Sequence, residues 1–447
     1  METYPTALIL GLAASGEAAA RLLLAEGTTV RVVDQNNSDV LRRRAMALEA
    51  FGAQVSLGQS DVPDGPYSVC VISPGIPVDA DWVRSIQRRG IPIISELELG
   101  WSRAVCRVLA VSGSNGKSTL VKLCAAALTC AGRRVAVAGN YGPPVSQVVM
   151  ERRDLDWLVI EASSFQLETV RAFRPDIAVL LNVFPNHLDR HGEMAVYERL
   201  KARLFCRMGA DNVGVVPDVM AAKIARLAAS SNQWVTFGIS PAADFCCQAG
   251  IVTNRRGKRV LSLKDTPFAN EVLGVTGAAA AAAMNAGGES MEALQRAVDV
   301  YQPLPHRMQE VTERRRVRFV DDSKATNLAA MMAALQMSPK PIRLIAGGLP
   351  KHESYAAAGS LLAEKVVAVY LIGTAAEIML SAWHNVAPCR LSRTLEQAVR
   401  SAWAQSHPGD TILLSPACAS FDQFSGFEDR GNRFADIIRS LDEKKNA

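Results

Sequence analysis

No run of roughly 18 apolar residues, the length that spans a bilayer as a helix, occurs anywhere in the chain. Residues 1–24 show no basic stretch followed by an apolar core, so neither export nor membrane anchoring is expected. The expected compartment is the cytoplasm. C-x-x-C pairs are also missing, and the nine cysteines are an odd number that cannot pair completely. Cys70, Cys124 and Cys130 sit in apolar stretches, which reads as reduced thiols in a core. A strong charge of one sign is absent too. Lys plus Arg at 49 against Asp plus Glu at 44 leaves +5. That excess calls for neither nucleic acid nor a membrane surface, although it suits small anionic ligands. Internal repeats and disordered linkers are not found.

What is present is a globular composition, 49% hydrophobic and 21% charged, over 447 residues. That length exceeds one ordinary core and suggests about three domains. Residues 7–10 are a short apolar run followed by the turn Gly11-Leu12-Ala13-Ala14-Ser15-Gly16. A helical pattern then covers 17–25, and a β-branched run at 29–33 ends at Asp34, as a nucleotide-binding βαβ unit begins. Another strand is expected at 69–72, closed by Ser73-Pro74-Gly75, and the pattern resets around 92–98.

A second series of strands starts at 107–111 and continues at 135–138, 157–160 and 177–181. The alanine run 278–283 reads as a tightly packed helix. After Leu304-Pro305-His306 a third series follows at 317–320, 342–346, 366–372 and 411–414. The fold class is therefore α/β in three domains, 1–96, 97–303 and 304–447. Alternating strands and helices imply parallel sheets with ligands at the C-terminal strand ends.

Gly113-Ser114-Asn115-Gly116-Lys117-Ser118-Thr119 follows an apolar strand and opens a helix. Glycines let backbone N–H groups turn toward phosphate oxygens, and the helix N-terminus adds partial positive charge. Lys117 is placed to lie along the β- and γ-phosphates of ATP, and the Ser118 hydroxyl to ligate Mg²⁺. Val111 stands where the full phosphate-loop pattern has its first glycine. Glu161 ends the strand after the loop, and His187 follows the next strand. Either alone is as readily a solvated acid or a structural imidazole; together, beside a phosphate loop, they suit Mg²⁺ and ATP.

At these residues the chain resembles the Mur ligase family, in particular its glutamate-adding branch. The short G-x-N-G-K-[ST]-T loop is the family's form of the phosphate loop and accounts for Val111. Glu161-Ala162-Ser163-Ser164-Phe165-Gln166-Leu167 is similar to a family segment. So are Leu304-Pro305-His306-Arg307, Asp322-Ser323-Lys324-Ala325-Thr326-Asn327, and the block from Ser415 to Gly431. The resemblance implies an N-terminal Rossmann-like domain for a UDP-linked substrate, a central ATP-binding domain and a C-terminal Rossmann-like domain. It implies an ATP-dependent ligase of peptidoglycan precursor synthesis that joins D-glutamate to UDP-N-acetylmuramoyl-L-alanine through an acyl phosphate. Two Mg²⁺ ions are implied, with Ser118 and Glu161 on the first and His187 on the second. Lys201 falls where the family carries a carbamylated lysine that adds an anionic oxygen ligand. Arg307 and Asp322 match contacts to ATP phosphates and ribose. Thr326, Lys351, Ser420 and Phe427 match the amino-acid site; Asn140 and Gln166 match muramoyl contacts, and Ser15 the UDP end. A monomer with only small-molecule partners is expected. Three positions depart from the family pattern: Asn186 replaces an aspartate, 275–279 replace an asparagine motif near adenine, and Ala13 and Ala14 replace a first-domain glycine.

The donors alone leave the chirality of glutamate open, and an L-glutamate-adding relative or one acting on another Mur precursor is the nearest alternative. A more distant one is an NAD(P)-linked oxidoreductase on Gly11, Gly16 and Asp34, whose middle glycine is Ala13. A non-enzymatic ATP switch ranks below it, because it gives no role to the C-terminal motifs.

Overall fold

Three sheets organise the chain in a computed structural model that describes residues 3–351 and 354–441. In the first, the strand order is Gln54–Leu57, Thr29–Asp34, Thr6–Leu10, Val69–Ile72, Ile93–Ser95, all parallel. Helices cover both faces of such a sheet, so its central strands are apolar throughout and do not alternate. Ala7, Leu8, Ile9 and Leu10 are accordingly fully buried. At the strand end, a Cβ on Gly16 would lie 1.9 Å from the Gly11 carbonyl oxygen. Glycine there lets helix Ala14–Ala25 start directly against the strand.

The second sheet has nine strands. Its parallel body runs Gln233–Gly238, Val213–Pro217, Ile177–Leu180, Arg107–Ser112, Trp157–Glu161, Val135–Gly139. Phe245–Gln248, Ile251–Asn254 and Arg259–Ser262 extend it as a meander with antiparallel pairing. This differs from the expected parallel sheets. Ala249 and Gly250, at φ 47° and 71°, make a two-residue reversal, too short for a parallel crossover. The alanine run lies inside helix Glu271–Ala286, and Ala278 to Ala283 are fully buried, as expected.

The third sheet runs Gln309–Arg314, Val317–Asp321, Thr411–Leu414, Ile342–Gly347, Val366–Ile372, Cys389–Arg393. Only its first pair is antiparallel, turned through Arg315 and Arg316 at φ 50° and 62°. One face is filled by Met331, Leu344, Met379 and Trp383, the other by Phe319, Ile345, Ile412 and Phe434.

Two compact units result: residues 1–183, 193–269 and 274–300 form one, and 184–192, 270–273 and 301–447 the other. Within the first, Leu22, Leu97 and Val148 belong to one apolar core that joins the first two sheets. Glu96 begins helix Glu96–Trp101, so position 96/97 lies inside a helix. The cysteines are all free; Cys70 and Cys124 are buried, whereas Cys130 is only partly so because the end of its helix reaches the surface.

Candidate active site

In the first unit, strand Arg107–Ser112 runs into Gly113 (φ 154°), and helix Lys117–Cys130 starts after Gly116 (φ 80°). A Cβ on Gly116 would meet Leu181 Cδ2 at 2.7 Å, so the tight loop requires glycine on both conformational and steric grounds. Gly116 is the N-cap and offers no side chain to the first helical turn, a geometry suited to phosphate oxygens.

Asn182, beyond strand Ile177–Leu180, clamps this loop. Its Oδ1 accepts from Ser114 N at 3.1 Å and Asn115 N at 3.0 Å, and its Nδ2 donates to the Asn115 carbonyl at 3.0 Å. Two lysines meet beneath the loop. Lys117 Nζ donates to the Gly113 and Ser114 carbonyls at 3.0 and 3.1 Å, and Lys201 Nζ donates to Gly113 at 2.8 Å.

Lys201 sits on helix Met194–Ala202, 1% exposed, with its ammonium 4.7 Å from the Tyr197 ring centroid. The Tyr197 hydroxyl lies 3.1 Å from Ser114 Oγ. Burial, then the nearby Lys117 charge, hold the Lys201 amine well below the ordinary lysine range, while Glu161 opposes them.

Glu161 ends strand Trp157–Glu161, opposite Val111 on the phosphate-loop strand. Its Oε1 accepts from Asn140 Nδ2 at 2.6 Å, and its buried Oε2 has no hydrogen-bond partner. A carboxylate oxygen left over beside a phosphate loop fits a hard divalent cation. Among the described residues no three His, Cys, Asp or Glu side chains gather into a metal cluster. Mg²⁺ in nucleotide sites needs only one or two protein ligands besides phosphate and water, so Ser118 and Glu161 are sufficient in kind.

In the second unit, Asp322 is 7% exposed and takes hydrogen bonds from Met308 N at 3.2 Å and Ser415 Oγ at 2.8 Å. Burial pushes its carboxyl up to about 7, against those hydrogen bonds and the Arg307 charge. Neighbouring His306 Nδ1 is 2.7 Å from Asp321 Oδ2. Thr326, Ser420 and Lys351 follow the C-terminal ends of three adjacent parallel strands, Val317–Asp321, Thr411–Leu414 and Ile342–Gly347. The fully buried Arg430 ties the first two of these loops together through Ser323 Oγ (2.9 Å), the Ser323 carbonyl (2.8 Å) and the Cys418 carbonyl (3.1 Å). Phe427 opens helix Phe427–Arg439, and the Lys324 ammonium stands 3.5 Å from its ring centroid.

A phosphate loop and a strand-end donor set of this kind occur together in known enzymes. Residues 111–286 match the Mur ligase middle domain, and 306–418 match the Mur ligase glutamate ligase domain. The UDP-N-acetylmuramoylalanine–D-glutamate ligase of Acidobacterium capsulatum is 37% identical over 96% of this chain and 95% of its own. The chain belongs to the Mur ligase family. It is an ATP-dependent, amide-forming ligase. The Gloeobacter violaceus protein of the same name is also 37% identical, over 97% of this chain and 98% of its own. Among solved structures, the MurF ligase of Thermotoga maritima in complex with ADP has a TM-score of 0.63 at 15% identity, covering 93% of this chain and 96% of that one. That likeness concerns the fold.

Against this Mur ligase background, Gly113 to Thr119, Glu161, Lys201 and Asn140 converge in the first unit. Ser15 stands on the first turn of helix Ala14–Ala25, at the C-terminal end of the first sheet. Gln166 is 4% exposed, and its Oε1 takes the Ser163 N–H and hydroxyl in a capping box, so the oxygen is engaged locally. His187 lies in the stretch 184–192, grouped with the second unit, at φ 56° as N-cap of helix Leu188–His191. Arg307, Asp322, Thr326, Lys351, Ser420 and Phe427 all belong to the second unit. Asp34 serves its own loop: its oxygens accept from Leu12 N at 2.7 Å and Asn36 N at 2.8 Å.

Sequence reading missed Asn182 and Arg430 as functional supports. Asn182 was visible only as a polar residue ending a strand, and Arg430 only as one charge in a helix with many.

Proposed function

We propose that this ligase joins D-glutamate to UDP-N-acetylmuramoyl-L-alanine, producing a peptidoglycan precursor, ADP and phosphate. The observation that carries this is the strand order of the third sheet, which sets Thr326, Lys351 and Ser420 on neighbouring strand ends. Glutamate brings two carboxylates, and one cation with two hydroxyls at fixed separation is suited to grip them. The D-glutamate ligases with which the chain shares 37% identity over nearly their full length support the same substrate.

A carboxylate is a poor electrophile because its leaving group would be oxide. Phosphorylation by the γ-phosphoryl of ATP makes an acyl phosphate, which the glutamate amine attacks with release of phosphate. Lys117 lies along the phosphates as a fixed positive charge, and the loop N–H groups, held by Asn182, orient them. Arg307 and Asp322 engage the phosphate and ribose of ATP, while Ser15, Asn140 and Gln166 orient the UDP-muramoyl substrate. Bound Mg²⁺ would supply charge neutralisation for phosphoryl transfer, with Ser118 and Glu161 suited to hold one ion, His187 a second, and a carbamate on Lys201 adding an anionic oxygen ligand. The Lys201 amine is suited to carbamylation because the neutral form attacks CO₂, releasing one proton and leaving an anionic oxygen. The reading includes three domains at 1–96, 97–303 and 304–447 and a cytoplasmic monomer. Among the described residues no helix is long and apolar enough to cross a membrane.

The test is phosphate release with UDP-N-acetylmuramoyl-L-alanine and each of D-Glu, L-Glu, D-Asp and L-Ala, with mass analysis of the product. Product with D-Glu is expected. Product only with L-Glu would overturn the stereochemistry, and no product with any of them would overturn the substrate assignment.

A further inference from the structure

Asn140 grips Glu161 at two points. Its backbone N–H donates to the Glu161 carbonyl at 2.8 Å, and its Nδ2 donates to Glu161 Oε1 at 2.6 Å. Both residues belong to the first compact unit. We infer that Asn140 is a positioning residue for the divalent cation, fixing the Glu161 carboxylate so that its second oxygen serves as a ligand. The inference rests on the proposed Mg²⁺ role of Glu161 and goes beyond the muramoyl contact proposed for Asn140.

The backbone explains why the two residues meet. Gly139 and Glu161 are register partners at the ends of strands Val135–Gly139 and Trp157–Glu161. Gly139 has φ 100°, and a Cβ there would lie 2.4 Å from the Glu161 carbonyl oxygen, so glycine is what lets the chain turn this close. The Gly139 N–H closes the turn on the Pro143 carbonyl at 2.9 Å. On the opposite side, Ala162 N donates to the Val111 carbonyl at 2.8 Å, and Ser112 Oγ donates to the Ala162 carbonyl at 2.9 Å. Glu161 is therefore seated between two strands, 2% exposed, with its main chain held from both.

Backbone alone does not set the plane of the carboxylate, because the last torsion of a glutamate is broad and two-fold. The Asn140 N–H removes that freedom by taking Oε1. Among the described residues Oε2 is left buried with no hydrogen-bond partner. Such an oxygen is costly, and coordination to a hard cation offsets the cost. The donor is an amide, which brings no positive charge of its own to the place a cation takes. An amide also has a second N–H and an oxygen, so the same side chain can serve the muramoyl substrate.

The test reads metal binding without turnover, by calorimetric titration of the full chain with a non-hydrolysable ATP analogue in excess Mg²⁺ and in EDTA. Mg²⁺ should tighten binding of the analogue to the parent. Asn140→Leu keeps the volume but removes the donor. It should lose about tenfold of that tightening, with affinity in EDTA within about twofold of the parent. Asn140→Gln keeps an amide N–H and should recover part of the loss. In a Glu161→Gln background, Asn140→Leu should add almost nothing, since the two act as one unit. Asn140→Ala replaces the leucine variant if that one fails to fold. No UDP-linked substrate is present, so a residue that acted only by touching that substrate would leave every value unchanged. Full Mg²⁺ tightening in the leucine variant, an equal loss in EDTA, or full additivity with Glu161→Gln would each overturn the inference. Full tightening in Glu161→Gln alone would overturn the metal role of Glu161, and the inference with it.

Discussion

Lys117 and Lys201 donate to the same carbonyl oxygen, that of Gly113, at 3.0 and 2.8 Å. Two ammonium groups on one acceptor repel, and the buried one yields: Lys201 is held well below the ordinary lysine range, by burial first and by Lys117 second. The Lys201 amine therefore gives up its proton more readily than an exposed lysine, which favours the form that reacts with CO₂.

Lys117→Ala should lower turnover on the order of 10²–10³-fold at saturating ATP and Mg²⁺, because a charge aimed at the transferring phosphoryl group is removed. Circular dichroism and melting should match the parent. Near-normal turnover in a folded variant would rule out phosphate binding by this loop lysine.

Lys201→Ala should abolish most activity, with partial recovery on adding short carboxylates that supply the missing anionic oxygen. Carbon-13 bicarbonate should give a carbamate NMR signal in the parent and none in the variant. Because the folded-state amine is depressed, its neutral fraction persists to lower pH than an exposed lysine allows, so the carbamate signal should too. An active enzyme with an unmodified Lys201 would contradict this.

Asp322 gives a pH dependence of stability with a definite sign. Its carboxyl moves from 3.8 up to about 7 on folding, chiefly through burial. Between those values the folded protein keeps a proton that the unfolded chain releases. Its contribution is full below the unfolded value and is lost as pH rises through about 7. Asp322→Asn stays neutral throughout. The Tm of the variant relative to the parent should therefore climb between about pH 4 and 7, by on the order of 5 °C, and level off above. A difference that is flat with pH would refute the burial effect.

Arg430→Met should destabilise the protein by roughly 2–5 kcal/mol, since Ser323 and Cys418 lose their donors inside the core. Arg430→Lys should rescue little, because a point ammonium cannot reach the three oxygens that the planar fork spans. Urea denaturation of the purified chain measures both. A loss below about 0.5 kcal/mol for the methionine variant would mean that the arginine does not hold the loops.

Much of the architecture was legible locally. Buried parallel strands are continuous apolar runs, so 7–10, 107–111 and 342–346 announced themselves, and the phosphate loop showed as glycines between a strand and a helix. The hairpin at Arg315 and Arg316 did not. Its left-handed positions carry two arginines and not the Asn-Gly pair that marks such a turn, so no local signal exists. The antiparallel meander at 245–262 was hidden similarly, its strands being only four residues each.

The sequence by itself determined which chemistry the chain can carry: a phosphate loop, a strand-end glutamate, and the donors Thr326, Lys351 and Ser420. Those are residue types at fixed spacing, and short-range order is enough to place each at the end of its own strand. Only the tertiary structure decided their electrostatic states and partners. The Lys201 amine lies well below the ordinary lysine range because it is buried and because Lys117, 84 residues away in the chain, is near it. Asp322 is pushed up chiefly by burial, and Lys351 bonds Asn186, 165 residues away in the chain. Desolvation and contact at long sequence separation are properties of packing, and no local pattern encodes them.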